Sequence, residues 1–362
     1  MTVSIFAAVE MAPRDPILGL TESFNADPRT DKVNLGVGVY LDDGGKVPLL
    51  AAVRLAEKAR LEAMPARGYQ PIDGLASYNQ IVQKLLFGED SILLEQGRVL
   101  TIEALGGTGA LKVGADYLRR LLPEATVYLS DPSWENHRAL FETAGFAVET
   151  YPYYDAATRG VDFAAMKAGL EALPAGSIVV LHACCHNPTG ADLNEGQWRE
   201  VIDVVGARGL LAFIDIAYQG FADGIGADAL AVRLFAQSGL QFLVASSFSK
   251  SFSLYGERVG ALSVVTANRH EAARVLSQIK RLVRTNYSSP PTHGGAIVMA
   301  ILANPELRQM WEGELAEMRE RIRGMRIGLV DKLQASGVGQ DFSFVVRQRG
   351  MFSYTGLQVA QV

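Results

Sequence analysis

The 362-residue sequence is poor in cysteine, in excess positive charge and in long apolar runs, and each shortage removes a class of protein. Its two cysteines, Cys184 and Cys185, are adjacent. Neighbours in an extended chain point in opposite directions, which argues against a mutual disulfide, and no CxxC or Cys/His spacing suggests a metal. Net charge is −5, which argues against electrostatic capture of nucleic acid or of an anionic membrane. No segment reaches the 18 or so uninterrupted apolar residues that a spanning helix needs. The opening MTVSIFAAVEMAPRDP lacks the basic start and apolar core of a signal peptide, so a reduced, cytoplasmic protein is expected. What remains is ordinary for a soluble enzyme, with 49% hydrophobic and 20% charged residues.

From about residue 98 the pattern alternates between strand and helix. Strands are expected at 99–103, 126–130, 147–150, 177–183, 210–216 and 242–245. Helices are expected between them at 110–122, 135–144, 163–173, 195–206 and 229–237. This order predicts a largely parallel sheet covered on both faces. Before it, 49–64 has helical periodicity, 15–24 a shorter helical stretch, and 33–40 (VNLGVGVY) an extended look. After residue 265 helices are expected at 270–282, 294–303 and 305–333, then two short strands within 342–354. Extended pieces near both ends plus a long helix suggest a second, smaller domain built from both termini.

One stretch stands out against this frame. SSFSKSFSLYGERVG, 246–260, follows the apolar run FLVA and sets Lys250 among Ser247, Ser249 and Ser251, with Arg258 eight residues on. A desolvated lysine exposes a free amine to carbonyls, and serines with an arginine can bind a phosphate dianion. Amine plus phosphate cradle suits a Schiff-base site for pyridoxal phosphate (PLP). GGTG at 106–109 opens a helix and offers a second phosphate site, though alone it reads equally as a tight turn. It fails the dinucleotide fingerprint, because Lys112 stands where G-x-G-x-x-G demands glycine. Trp134 can stack on a flat ring or cap the core, and His137 can be structural. Asn187, in the turn HNPTG, directs an amide to the same rim. Asp215 sits inside the apolar run LLAFIDIAYQGF, where a buried carboxylate needs a cationic partner that the run does not hold, and Tyr218 lies three residues on. Arg284 ends a basic helix and can bind a carboxylate or face solvent.

Taken together, GGTGALKVGADYL, SDPSWENH, CCHNPTG, DIAYQGF, SSFSKSFSLYGERVG, NYSSPPTHG and QRGMFSYTGL resemble bacterial aspartate and aromatic-amino-acid aminotransferases. These are class I, fold-type I PLP enzymes, and the resemblance runs from DPILGL to the last residue. It implies a three-layer α/β/α large domain, 46–317, with a mostly parallel mixed sheet. It also implies a small α+β domain of 13–45 with 318–362, and an N-terminal arm of 1–12. On it, Lys250 is the Schiff-base lysine and proton carrier, Asp215 the partner of the pyridine nitrogen, and His137 the support of that aspartate. Asn187 and Tyr218 donate to the phenolic oxygen, and Trp134 stacks on the ring. Gly107, Thr108, Ser247, Ser249 and Arg258 form the phosphate cup. Tyr69 reaches the phosphate of the neighbouring subunit, which implies a homodimer with shared sites. Gly38 lies near the substrate, and Arg284 reads the side-chain carboxylate across the dimer.

The implied reaction is ping-pong transfer of an amino group from aspartate, tyrosine or phenylalanine to 2-oxoglutarate. One departure counts against it. In the family a further few dozen residues carry a G-R motif whose arginine binds the α-carboxylate; the sequence as given reaches Gln361-Val362 without that motif, and Arg347 and Arg349 sit in a different one. Loss of a bidentate contact of roughly 1.5–3 kcal/mol costs about tenfold or more in affinity. The expectation for this chain as written is therefore weak or absent turnover, with an impaired PLP-binding homologue as the alternative. A lyase or decarboxylase on the same fold would not call for Arg284, and a nicotinamide oxidoreductase is disfavoured by the failed glycine fingerprint.

Overall fold

In the computed structural model, the structure describes residues 4–12, 18–34, 36 and 38–356. The chain divides into two compact units, Met1–Val39 and Tyr40–Val362. The first holds helix α1 (Leu18–Ala26), inside which the Ser23 hydroxyl donates back to the Gly19 carbonyl at 3.0 Å. The expected helix start at 15–17 lies outside the described residues, and 33–40 forms no strand among those described.

The second unit opens with α2 (Ala51–Ala63), α3 (Ala76–Phe87) and α4 (Ile92–Glu95). The alternation then runs β1 (Val99–Leu105), α5 (Gly106–Leu121), β2 (Thr126–Asp131), α6 (Glu135–Thr143) and β3 (Ala147–Pro152). A two-residue hairpin, β4 (Tyr154–Asp155) with β5 (Gly160–Val161), precedes α7 (Phe163–Ala172) and β6 (Ile178–His182). Next come α8 (Glu195–Arg208), β7 (Leu211–Ile216), α9 (Ile225–Asp228), α10 (Leu230–Gln237), β8 (Phe242–Ser247) and β9 (Val259–Val265). The unit closes with α11 (Arg269–Asn286), α12 (Thr292–Ala303), α13 (Pro305–Ala335) and α14 (Phe344–Arg347).

Seven strands form one sheet in the order β1-β9-β8-β7-β6-β2-β3. The pairs from β8 to β3 are parallel, while β9 is antiparallel to both its neighbours, so the sheet is mixed and mostly parallel. Successive side chains alternate between two cores. Ile178, Val180, Phe213 and Leu243 pack under α5, whereas Val179, Leu181, Ile214 and Val244 join the core of α3, α8, α10 and α12. Burial on both faces explains why these strands read as continuous apolar runs. Several helices carry their boundaries in sequence. Asn194 and Gln197 make a reciprocal capping box at α8, which ends at left-handed Gly209, and Asn304 caps α13 ahead of Pro305.

Two expectations need correction. The two strands read at 342–354 do not form: that segment is the short helix α14 followed by irregular chain. Its carbonyls at Gln348, Gly350 and Phe352 accept from the buried guanidinium of Arg326 on α13, so no strand partner is needed. Helix α3 (ASYNQIVQKLLF) and the β4–β5 hairpin were absent from the sequence reading. Ser77, Asn79 and Gln80 near the start of α3 hide the period, yet Tyr78, Val82, Leu85 and Leu86 line one buried face.

Candidate active site

Parallel strands leave their carboxyl ends on one edge of the sheet, where ligands collect. Pairing aligns that edge: Asp215 lies opposite His182 of β6 and Ala245 of β8, and Ser247 opposite Gly260 of β9. Because β9 runs the other way, its start arrives where its neighbours end. Arg258 therefore stands beside Ser249, just beyond the paired Ser247 and Gly260, and Gly260 lies beside Ala104 near the close of β1.

At one pole lies Asp215, 5% exposed. His137 Nε2 is 2.9 Å from Asp215 Oδ2, and His137 Nδ1 is 3.1 Å from the hydroxyl of Ser133. Burial alone would push the Asp215 carboxyl up. The His137 hydrogen bond and the positive fields of His137 and Lys250 outweigh it and hold the group below its ordinary value. Lys250 follows β8 with Nζ 4.8 Å from the centre of the Tyr218 ring. Burial, reinforced by Arg258 and opposed by Asp215, pulls the Lys250 ammonium below its ordinary range, so a neutral amine is more accessible there than on a surface lysine. Burial and then the Asp215 charge push the Tyr218 phenol far up, which keeps it a hydrogen-bond donor. The Trp134 ring meets His137 edge-on at 5.1 Å.

At the other pole, α5 begins at Gly106 with no side chain capping its amides. A Cβ on Gly106, whose φ is +68°, would fall 2.6 Å from Arg258 Nη2, and one on Gly107 would fall 3.1 Å from Ser247 Cβ. The two glycines thus leave a concavity walled by an arginine and a serine, at a helix start whose dipole favours anions. Arg258 Nη1 donates to Ser249 Oγ at 3.1 Å and to the Tyr255 carbonyl at 3.0 Å. Arg258 itself is left-handed at φ 54°, as are Ser253 at 53° and Cys185 at 51°. Such backbone in non-glycine residues is held against its own preference.

Between the poles, Asp192 accepts the amides of Cys185 at 2.7 Å and His186 at 2.8 Å, which sets the turn that presents Asn187. Burial pushes this carboxyl up to about 6. The Phe352 ring closes on Tyr218 at 5.9 Å. The structure thus gathers Lys250, Asp215, His137, Tyr218, Trp134, Asn187, Gly107, Ser247, Ser249 and Arg258 on one edge, with Thr108 in the first turn of α5. Two predicted residues are not brought there within the chain. Tyr69 is 98% exposed, and Arg284 is exposed at the end of α11, bonded to the Ser288 hydroxyl. Gly38 belongs to the N-terminal unit and is half-buried. Arg347 donates to the Thr158 carbonyl at 3.5 Å, and Arg349 pairs with Asp223 at 2.5 Å.

Sequence reasoning missed His182. Both its ring nitrogens are buried without a protein partner, and burial, then the nearby His137, drive it down to about 3, so it is neutral. Its signal was the one that marked Asp215, a polar residue inside a buried strand. One ligand atom each from His137, His182 and Asp215 lies within 4.8 Å of the others, a spacing a metal could use, but the His137–Asp215 hydrogen bond already accounts for the pairing.

The chain matches the family described as aminotransferase class I and II over residues 30–362. It is 67% identical to an aspartate aminotransferase of Pseudomonas aeruginosa, covering 99% of this chain and 90% of that protein. It is 54% identical to an aromatic-amino-acid aminotransferase of Escherichia coli, with the same coverage. Among solved structures, an aromatic-amino-acid aminotransferase of Burkholderia pseudomallei, covalently bound to pyridoxal phosphate, superposes with a TM-score of 0.97. That structure is 67% identical, over 99% of this chain and 90% of its own.

Proposed function

The chain belongs to the class I and II aminotransferase family, and from that premise we propose that it transfers the amino group of aspartate, tyrosine or phenylalanine to 2-oxoglutarate with pyridoxal phosphate as cofactor. The observation that carries the reading is the pairing of a desolvated lysine with an ionised buried aspartate, set on one strand edge with an uncapped, arginine-walled helix start.

The residues fit the cofactor on their own chemistry. His137 takes one oxygen of Asp215, which leaves Oδ1 for a protonated ring nitrogen, the cation this buried carboxylate calls for. Gly107, Thr108, Ser247, Ser249 and Arg258 would hold the phosphate, Trp134 the ring face, and Asn187 with Tyr218 the phenolic oxygen. Bound there, the cofactor supplies an electron sink for the carbanion formed at the amino acid's α-carbon. Lys250 Nζ, when neutral, takes the proton from that carbon and returns it in the reverse sense. Asp215 keeps its negative charge throughout, and His137 fixes its orientation. Tyr218, held protonated, donates without titrating.

The shared-site homodimer is part of the proposal. Tyr69 and the apolar Leu61 and Met64 are 98%, 71% and 83% exposed, and a second copy is the surface that would use them. Arg284 would then read a side-chain carboxylate across the interface, and Gly38 would approach the substrate. The arm of 1–12 and the small domain of 13–45 with 318–362 belong to the same reading. Arg321 on α13 ties 41–43 to that C-terminal part, pairing with Asp43 at 2.6 Å and donating to the Leu41 carbonyl. A cytoplasmic location fits two free, buried cysteines.

The test is spectroscopic. Addition of PLP should raise a visible band that Lys250→Ala abolishes. Titration with aspartate, then tyrosine or phenylalanine, should convert that band and rank the donors. If no amino acid shifts it, the aminotransferase reading fails for this chain.

A further inference from the structure

A cavity of about 300 Å³ opens on the second unit among the end of α3, the loop that leads into α9, helix α10 and the first half of α13. None of its lining residues belongs to the site just described. Its volume is at the lower end of the range for small-molecule sites, roughly 300–1,000 Å³. Four cations line it, Lys84, Arg233, Arg308 and Arg319, against two carboxylates, Glu89 and Glu312.

Both carboxylates are taken up by one of these cations. Arg308 Nε lies 3.1 Å from Glu312, and its Nη1 lies 3.7 Å from Glu89. Arg319 Nη1 donates to the Gly220 carbonyl at 2.8 Å, and its Nε stands 3.8 Å from Glu320. The side chains of Arg233 and Lys84 make no hydrogen bond or ion pair among the described residues, and Arg233 Nε is buried as well as unpartnered. A guanidinium N–H withdrawn from water with nothing to accept it is costly, and an anion in the cavity would answer it. The approach is clear on one side. Gly226 lies against the guanidinium with no side chain between, and even a Cβ there would sit 3.7 Å from Arg233 Nη1.

We propose that this cavity is a binding site for a phosphate group, distinct from the cup assigned to the cofactor, with Arg233 as its fork and Lys84 and Arg319 completing the charge. Charge selects phosphate over a monocarboxylate. The lining carries two positive charges in excess, and a phosphate monoester carries about −1.5 to −2 near neutrality. An anion of one charge would leave a cation unanswered. The planar arginine fork suits two phosphate oxygens at once, and lysine adds a point charge.

The wall behind the cavity is already fixed. The amides of Gly220, Ala222, Asp223 and Gly224 all donate to the buried Asp228 carboxylate, at 2.7, 3.0, 2.9 and 3.3 Å. The Gln219 amide donates to the Ile225 carbonyl at 2.9 Å, and a Cβ on Gly220 would collide with Leu315 of the lining. A wall held in this way has little freedom left to lose when a ligand arrives.

The test is calorimetric titration of the PLP-loaded protein with inorganic phosphate and, separately, with a hexose phosphate, at constant ionic strength. Each chain should bind a single phosphate. Arg233→Gln should weaken binding about tenfold or more, the loss of a charge-assisted contact. Arg233→Lys keeps the charge without the fork and should fall between the two. Lys84→Gln should cost about two- to fivefold, and because Lys84 is exposed it decides the matter even if Arg233→Gln fails to fold. Arg258→Gln, in the cofactor's cup, should leave the affinity within about twofold. That comparison holds whether or not the aminotransferase reading does. Equal affinity for the two ligands shows that the phosphate group alone is read, tighter binding of the hexose phosphate that the remaining cavity contributes, and binding of inorganic phosphate alone that the free ion is the ligand. Absence of binding by both overturns the site. So does an affinity that falls in Arg258→Gln and is unchanged in Arg233→Gln and Lys84→Gln.

Discussion

Asp215 and Glu103 stand on the same sheet, equally out of reach of water, and are driven in opposite directions. Asp215 is held below its ordinary value because His137 bonds it and Lys250 adds a favourable field. Glu103 is raised to about 7 because no cation answers its burial. Burial sets the cost of a charge, and the neighbours decide whether it is met. The first carboxyl has the properties of an electrostatic partner for a cationic ligand, the second those of a carboxyl whose charge its surroundings disfavour.

The same amide substitution should therefore have very different results at the two positions. The largest effect is expected at the lysine both comparisons depend on: we predict that Lys250→Ala lowers turnover on the order of 10⁴-fold, the upper range for losing a proton carrier, measured in single-turnover half-reactions. Asp215→Asn keeps the shape and removes the charge, and turnover should drop about a hundredfold or more. Glu103→Gln should leave turnover at pH 6 within about twofold of wild type. Equal losses at the two positions would erase the distinction drawn between them.

The next effect is on stability. Glu103 has a folded value near 7, above the ordinary 4.5. A raised carboxyl contributes its full stabilisation below the unfolded value and loses it as pH rises through the folded one. Relative to Glu103→Gln, the wild type should thus lose about 3 kcal/mol between pH 4 and pH 8.5, read from denaturant midpoints. Asp215, being lowered, runs the other way: its contribution is present above the ordinary 3.8 and is lost as pH falls through its folded value. A Glu103→Gln variant with the wild-type slope would show that the carboxyl is already ionised. The smallest effect is expected at exposed Arg284, where Arg284→Gln should raise KM for aspartate about tenfold while leaving tyrosine or phenylalanine within about threefold.

Much of this was legible in the residues. Period-2 burial on both faces made the sheet visible as apolar runs, and Asp215 was conspicuous because nothing else in its run was polar. His182 carried the same mark but sat beside two cysteines and His186, in a stretch read for its turn. Glu103 was passed over although it stands, like Asp215, as a carboxylate in a strand expected to be covered on both faces, and the packing of α3 and α12 shows it buried. The segment at 342–354 was misread because its partner is a single guanidinium from α13, a tertiary contact with no local signature. Residues contributed by a second copy, as proposed for Tyr69 and Arg284, look from within one chain like ordinary surface.

The reversal of β9 has a consequence for how the site is made as well as for how it works. Most of the edge is assembled from residues far apart along the chain, joined by long crossovers that are slow to close. β8 and β9 are instead an antiparallel pair joined by the short loop 248–258, so Lys250, Ser247, Ser249 and Arg258 meet through the smallest loop-closure entropy in the sheet. This corner should acquire structure early in refolding, and pulsed hydrogen exchange should find the amides of β9 protected before those of β2 and β3. A cofactor anchored in that corner would then act as a template on which the more distant strands complete their register.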